Sequence, residues 1–137
     1  MSQEASVSRE SAAAFVEAYG RTWNSWDFPG FVGLFSDEVV YVAHATEETV
    51  VGREALASYI RKEADEQGEA SVRMGTPVID GHRVAAEFWV TRTNDGEDWT
   101  TAGCFIARIG PDGRCDFFRE YWFDVEGHTN AYEGWGD

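Results

Sequence analysis

Positive charge is scarce in this chain. Lys62 is its one lysine, and 11 basic residues face 25 acidic ones, a formal net charge of −14. Such a surface repels phosphate backbones and anionic lipid, which excludes nucleic acid and membrane surfaces as partners. No apolar run approaches a membrane span, and residues 1–10 lack the apolar stretch of a secretion signal, so a cytoplasmic location is expected. The near-total use of arginine for basic positions reads as a GC-rich bacterial origin. Cysteine is limited to Cys104 and Cys115, neither of them next in sequence to a histidine, which predicts free thiols without a nucleophilic role. No glycine-rich phosphate loop, nucleophile elbow or metal-ligand spacing occurs, so neither a cofactor nor a metal is expected.

Aromatic residues are abundant, at 15% of the chain, with six Trp and nine Phe among 137 residues. That composition, with 43% apolar residues, predicts one globular domain over 1–137 with a full core, a leader at 1–7 and an irregular tail at 126–137. From Ser8, the positions Ala12, Phe15, Val16, Tyr19, Trp23 and Trp26 recur at helical steps. Asp27 suits the N-cap of a short second helix with Pro29 in its first turn and Phe31, Leu34 and Phe35 buried, ending at Ser36-Asp37. The β-branched run from Val39 to His44 reads as a buried strand, and a polar loop follows through Glu47 and Glu48. A third helix is expected over Arg53–Gln67, with a stripe of Leu56, Tyr59, Ile60 and Ala64, stopped by Gly68. Strands are expected at 70–79, 83–93, 99–109 and 114–125, with Pro77 placing the first at an edge or on a bulge. Helices first and an antiparallel meander last give an α+β fold: a curved sheet wrapped around N-terminal helices as a cone with a cavity.

Two turns set the register of the meander. Asn94-Asp95-Gly96-Glu97 and Gly110-Pro111-Asp112-Gly113 are read as tight hairpin loops. Phe88 then faces Gly103, and Gly103 faces Glu120, between the rows Ala86–Phe105–Phe118 and Val90–Thr101–Trp122. A carboxylate on this apolar face, beside a residue with no side chain, is the pattern of a small-molecule pocket containing one chemical group. The opposite face carries Trp89, Ile106, Phe117, Tyr121 and Phe123, too many large apolar groups for an exposed surface, and predicts a homodimer. Glu87 and Arg119 are expected to pair on that face over Cys104.

Glu120 reads either as a general acid or base whose pKa is raised by apolar walls, or as a structural carboxylate bonded to a buried Tyr, Trp or Arg. Tyr19 reads as a hydroxyl aimed into the cavity or as a core tyrosine. His44, at a strand end by the cavity mouth, reads as catalytic or as a loop anchor. The expected substrate-contacting walls are Trp23, Tyr41, Tyr59, Phe88, Val90, Thr101, Gly103, Phe105, Phe118 and Trp122. Arg92 and Asp124 read as an ion pair at the sheet end or as a substrate clamp, and His82 and His128 are expected to be solvent-exposed.

The segments W-N-S-W-D-F-P-G-F-V-G-L-F-S-D-E-V-V-Y-V-A (23–43), V-G-R-E-A-L (51–56) and R-E-Y-W-F-D (119–124), in this element order, resemble the nuclear transport factor 2-like superfamily and its SnoaL-like, polyketide-cyclase-type branch. The resemblance covers nearly the whole chain and implies the cone-shaped fold. Its scaffold carries isomerases, dehydratases, epoxide hydrolases, cyclases and non-catalytic binding proteins. By ungapped comparison, the oxyanion-donating tyrosine of the ketosteroid isomerases falls on Tyr19. Their general-base aspartate falls on Ala43, beside His44, and their protonated aspartate near Phe105. The acidic residue in the last strand of the limonene-epoxide-hydrolase type matches Glu120, while the arginine and aspartate of its earlier strand fall near Phe88 and Val90. The resemblance implies a cofactor-independent cyclase, isomerase or dehydratase (isomerase or lyase chemistry) acting on an apolar polyketide- or terpenoid-like molecule. The alternative is a binding protein for a hydrophobic ligand.

Overall fold

The structure of the protein, a computed structural model, describes residues 2–137, with side chains from Arg9 onward. Its elements in chain order are α1 (Ser2–Ser25), α2 (Phe28–Val32), β1 (Phe35–His44), β2 (Glu48–Val51), α3 (Arg53–Gln67), β3 (Glu69–Met74), β4 (Val78–Asp80), β5 (Arg83–Asn94), β6 (Glu97–Ile109) and β7 (Cys115–Glu126). The first helix thus begins at Ser2, where Ser8 was expected, and takes in the expected leader apart from Met1, which lies outside the described residues. The short helix is capped as predicted: the Gly30 amide donates to Asp27 Oδ1 at 3.1 Å, and Pro29 lies in the first turn. It closes at Val32, and Phe35 opens β1 instead of extending the helix.

The seven strands form one sheet in the order β2-β1-β7-β6-β5-β3, with β4 also paired to β5. β1 lies parallel to β7 and antiparallel to β2. The loop expected at Glu47–Glu48 is partly this edge strand, whose Val50 is half-buried against the core. Pro77 lies in the break between β3 and β4, at the sheet edge.

One face of the sheet alternates into a core shared with the helices. Val84, Ala86, Phe88 and Val90 of β5 meet Phe105 and Ala107 of β6, Phe118 of β7, Phe15 and Tyr19 of α1, and Leu56 and Ile60 of α3. Aromatic rings interlock there. Tyr41 stacks on Phe118 at 4.6 Å, and Tyr19 lies 4.8 Å from Phe105 and 5.7 Å from Phe118.

The first hairpin keeps its expected register. Asp95 and Gly96 both take positive φ, as a two-residue turn with right-handed strand twist requires, and Phe88 faces Gly103. The second differs by two residues. The Gly110 amide donates to the Arg114 carbonyl, which leaves a three-residue loop, and β7 is bulged where Ile109 pairs Cys115 and Arg108 pairs Phe117. Each change adds one residue, so the alternation is restored and every side chain of β7 stays on its expected face. The rows across β5, β6 and β7 become Ala86–Phe105–Glu120, Phe88–Gly103–Trp122 and Val90–Thr101–Asp124. The expected Gly103–Glu120 pairing is therefore corrected to Phe105–Glu120.

On the outer face Cys104 lies across from Tyr121 and Ile106 from Arg119. Arg119 consequently stands over the Phe117 ring at 5.7 Å, and the expected Glu87–Arg119 pairing over Cys104 does not form. Both cysteines are free, and burial raises both thiol pKa values, Cys115 to about 12. The tail folds back over this face. Trp89 Nε1 donates to the Thr129 carbonyl at 2.8 Å, buried Trp135 meets the Trp89 ring edge-on at 5.9 Å, and Thr76 N donates to the Gly136 carbonyl at 2.7 Å. His128 participates in the docking, with Nε2 3.0 Å from the Arg92 carbonyl oxygen.

Candidate active site

The helices do not fill the open end of the curved sheet, and a cavity of about 340 Å³ remains between α1, α2, α3 and the inner sheet face. Its walls are Tyr19, Trp23 and Trp26 of α1 and the turn after it, Phe31 of α2, Tyr41 of β1, Tyr59 and Ile60 of α3, Phe88 of β5 and Trp122 of β7. Among the expected walls, Trp23, Tyr41, Tyr59, Phe88, Thr101 and Trp122 line the cavity. Val90, Phe105 and Phe118 are instead fully buried beneath it. Gly103 also serves a different purpose from the one expected. A Cβ there would stand 2.1 Å from the Tyr121 carbonyl oxygen and 2.8 Å from Trp122 Cα, so glycine lets the β7 backbone press close to β6. It makes room for a strand.

Glu120 projects from β7 into the cavity between Tyr19, Tyr41 and Tyr59. Its side chain is partly exposed and forms part of the cavity lining. Burial is the main cause that pushes its pKa up to about 8, and the Glu63 carboxylate acts in the same direction. A hydrogen bond with Tyr19 opposes the shift. Near neutral pH the acid form therefore prevails. Burial, then Glu120, raises the pKa of Tyr19 and of Tyr41, so both phenols remain protonated donors.

On the cavity wall Arg92 is held by β6 and β7. Its Nη2 lies 3.2 Å from Asp124 Oδ2, its Nε donates to Thr101 Oγ1 at 3.3 Å, and Thr101 Oγ1 donates to Asp124 Oδ1 at 2.5 Å. The ion pair expected from sequence is thus present and forms part of the wall. Trp23 is fixed by its indole N–H, which donates to Gln67 Oε1 at 2.8 Å, and Trp122 Nε1 donates to the Ala43 carbonyl at 3.1 Å.

His44 is not part of the cavity lining. Its Nδ1 lies 3.0 Å from Thr46 Oγ1 and 3.8 Å from Glu47, and its ring stands edge-on to Trp122 at 5.9 Å, so it anchors the turn after β1. Glu63 and Glu66 line the cavity and were missed in the sequence reading. Glu63 continues the buried stripe of Leu56, Tyr59 and Ile60 at helical spacing, and a carboxylate on an apolar stripe was the available signal. Burial, then Glu66 and Glu48, raises its pKa.

The curved sheet, three helices and a cavity at the open end define the nuclear transport factor 2-like fold. Within it, the SnoaL-like domain pattern matches residues 16–116, and the chain belongs to the SnoaL-like family. Among curated proteins none matches the chain by sequence. Among solved structures, the epoxide hydrolase/cyclase-like enzyme SalBIII of pyran ring formation in salinomycin is similar with a TM-score of 0.75 and 20% identity, over 84% of this chain and 92% of that one. RV0760c of Mycobacterium tuberculosis is similar with a TM-score of 0.74 and 18% identity, over 85% of this chain and 96% of that one. RV0760c has also been solved in complex with estradiol-17β-hemisuccinate. An LEH-like epoxide hydrolase of Mycobacterium tuberculosis has a TM-score of 0.71 and 20% identity, over 83% of this chain and 84% of that one.

Proposed function

We propose that this protein is a cofactor-independent enzyme that cyclises, isomerises or dehydrates an apolar polyketide- or terpenoid-like molecule by proton transfer at Glu120. The observation that carries this reading is a carboxyl group on the cavity wall beside Tyr19, its pKa pushed up to about 8 by burial. A group poised near neutral pH is able both to give a proton to a substrate oxygen and to take one from carbon. Tyr19, protonated and fixed in the aromatic core, adds a hydrogen-bond donor for charge that develops on that oxygen. Phe88 and Trp122 hold the apolar body of the substrate, while His44 contributes only through its turn. The cyclase-like and steroid-bound relatives support a substrate of this size and polarity.

The test is Glu120→Gln, which keeps the shape of the side chain and removes its proton. Turnover of a cyclisable polyketide or epoxide panel should fall by about 100-fold or more, with affinity for these uncharged molecules retained. Full turnover in the variant would overturn the catalytic role. Absence of turnover in the wild type, with tight binding of the same panel, would favour a binding protein; a designed 17-OHP binder has the same fold.

The outer strip of Tyr121, Phe123 and Val125, left uncovered by the tail, supports assembly into a homodimer in the cytoplasm. Sedimentation should show a dimer that Phe123→Glu dissociates. Among the described residues no helix is long and apolar enough to cross a membrane.

A further inference from the structure

The cavity that Proposed function assigns to a small molecule is unusual in its charge. Four carboxylates line it, those of Glu63, Glu66, Glu120 and Asp124, against the single guanidinium of Arg92. That guanidinium is held by Asp124 and Thr101, and together with Lys62 it offsets only part of the negative charge around Glu63. The Glu63 carboxylate of α3 helps to raise the pKa of Glu120 on β7, and Glu66 and Glu48 add further negative charge around Glu63. The rings of Trp23, Tyr59 and Trp122 line the same cavity.

A neutral hydrocarbon would satisfy the rings and leave the carboxylates of Glu63, Glu66 and Asp124 on the wall in excess of the one Arg92 guanidinium. An anion would be repelled by that excess. A cation attached to an apolar skeleton satisfies both, because aromatic faces attract positive charge and a desolvated carboxylate gains most from a charged hydrogen-bond donor. We infer that the ligand of this cavity is a hydrophobic amine, its ammonium group seated between Glu63 and Glu120 and its apolar body against Trp23 and Trp122. This inference rests on the cavity being a ligand site, and with such a ligand bound Glu120 is a carboxylate, able to accept a proton but not to give one.

The proton balance makes it testable. Unliganded, Glu120 is largely protonated near neutral pH among Tyr19 of α1, Tyr41 of β1, and Tyr59 and Glu63 of α3. An ammonium group arriving already charged pairs with the carboxylate, so the carboxyl proton passes to the buffer. Binding then releases up to one proton per amine at neutral pH, and affinity rises with pH until Glu120 is ionised in the free protein.

Calorimetry on the full chain with three probes of one shape, naphthylmethylamine, naphthylmethanol and naphthoate, supplies the test. The amine should bind about tenfold or more tightly than the alcohol near pH 7, and naphthoate more weakly than either. Titrations in buffers of different ionisation enthalpy should show proton release with the amine alone. Glu63→Gln should reduce the preference for amine over alcohol several-fold while leaving alcohol affinity intact, so a folding defect would be recognised. Alcohol binding as tight as amine binding, or amine binding without proton release, would overturn the inference and leave the ligand-site reading standing. No binding of any probe would overturn both.

Discussion

Side chains alternate along β7 between two aromatic faces with different fates. Phe118, Glu120, Trp122 and Asp124 point inward, where α1 and α3 cover the first and the cavity takes the rest. Phe117, Arg119, Tyr121 and Phe123 point outward, and Tyr121 and Phe123 remain 47% and 61% exposed. The two faces are similar in hydrophobicity, so composition did not choose between them. Coverage did: the helices close on the inner face, while the tail lies against β5 and β6 around Trp89, Thr100 and Arg92 and leaves Tyr121 and Phe123 exposed. The inner face can therefore hold a carboxylate away from bulk water, which gives Glu120 its unusual titration.

The largest expected effect separates the two faces. Phe118→Ala should lower the free energy of unfolding by about 3–5 kcal/mol, because it opens a cavity among stacked rings. Phe123→Ala in dilute protein should cost about 0.5 kcal/mol or less. Equal losses in urea denaturation would mean that the outer face is also core.

Next comes the pH dependence of stability. The Glu120 pKa is raised from 4.5 in its ordinary state to about 8 in the folded protein, so the unfolded chain binds fewer protons between these values. The Glu120 contribution is therefore most favourable at the acid end of that range, and stability is lost as pH rises through it, by an amount on the order of a few kcal/mol. Glu120→Gln should flatten this part of the profile and make the variant more stable than wild type at alkaline pH. Parallel profiles for the two proteins would show that the carboxyl is hydrated.

A smaller effect is expected where the tail meets the outer face. Trp135 is buried against Trp89, with the Arg73 guanidinium 4.9 Å from its ring centroid. Trp135→Ala should cost about 2 kcal/mol in thermal or urea unfolding and release tail amides to hydrogen exchange, leaving the cavity unchanged. A loss of ligand affinity in this variant would instead couple the two faces.

Local chemistry in the chain determined much of this. The spacing of Phe15, Tyr19 and Trp23, the Asp27 cap with Pro29, and the Arg53–Gln67 helix stopped by Gly68 are written in neighbouring residues, and each formed. The Asp95-Gly96 turn likewise fixed one hairpin, since its conformation belongs to those two residues. Parity alone was enough to place Glu120, Trp122 and Phe118 on the inner side. Tertiary structure decided the rest. Two one-residue irregularities near Gly113 moved β7 by two positions and put Phe105, in place of Gly103, opposite Glu120, because a bulge depends on the partner strand. Packing of the helices on the sheet left Phe105 and Phe118 as floor and Glu63 on the wall, while His44 bonds within its own turn. Periodicity tells which residues share a face, but only packing of distant elements tells which of them a ligand can touch.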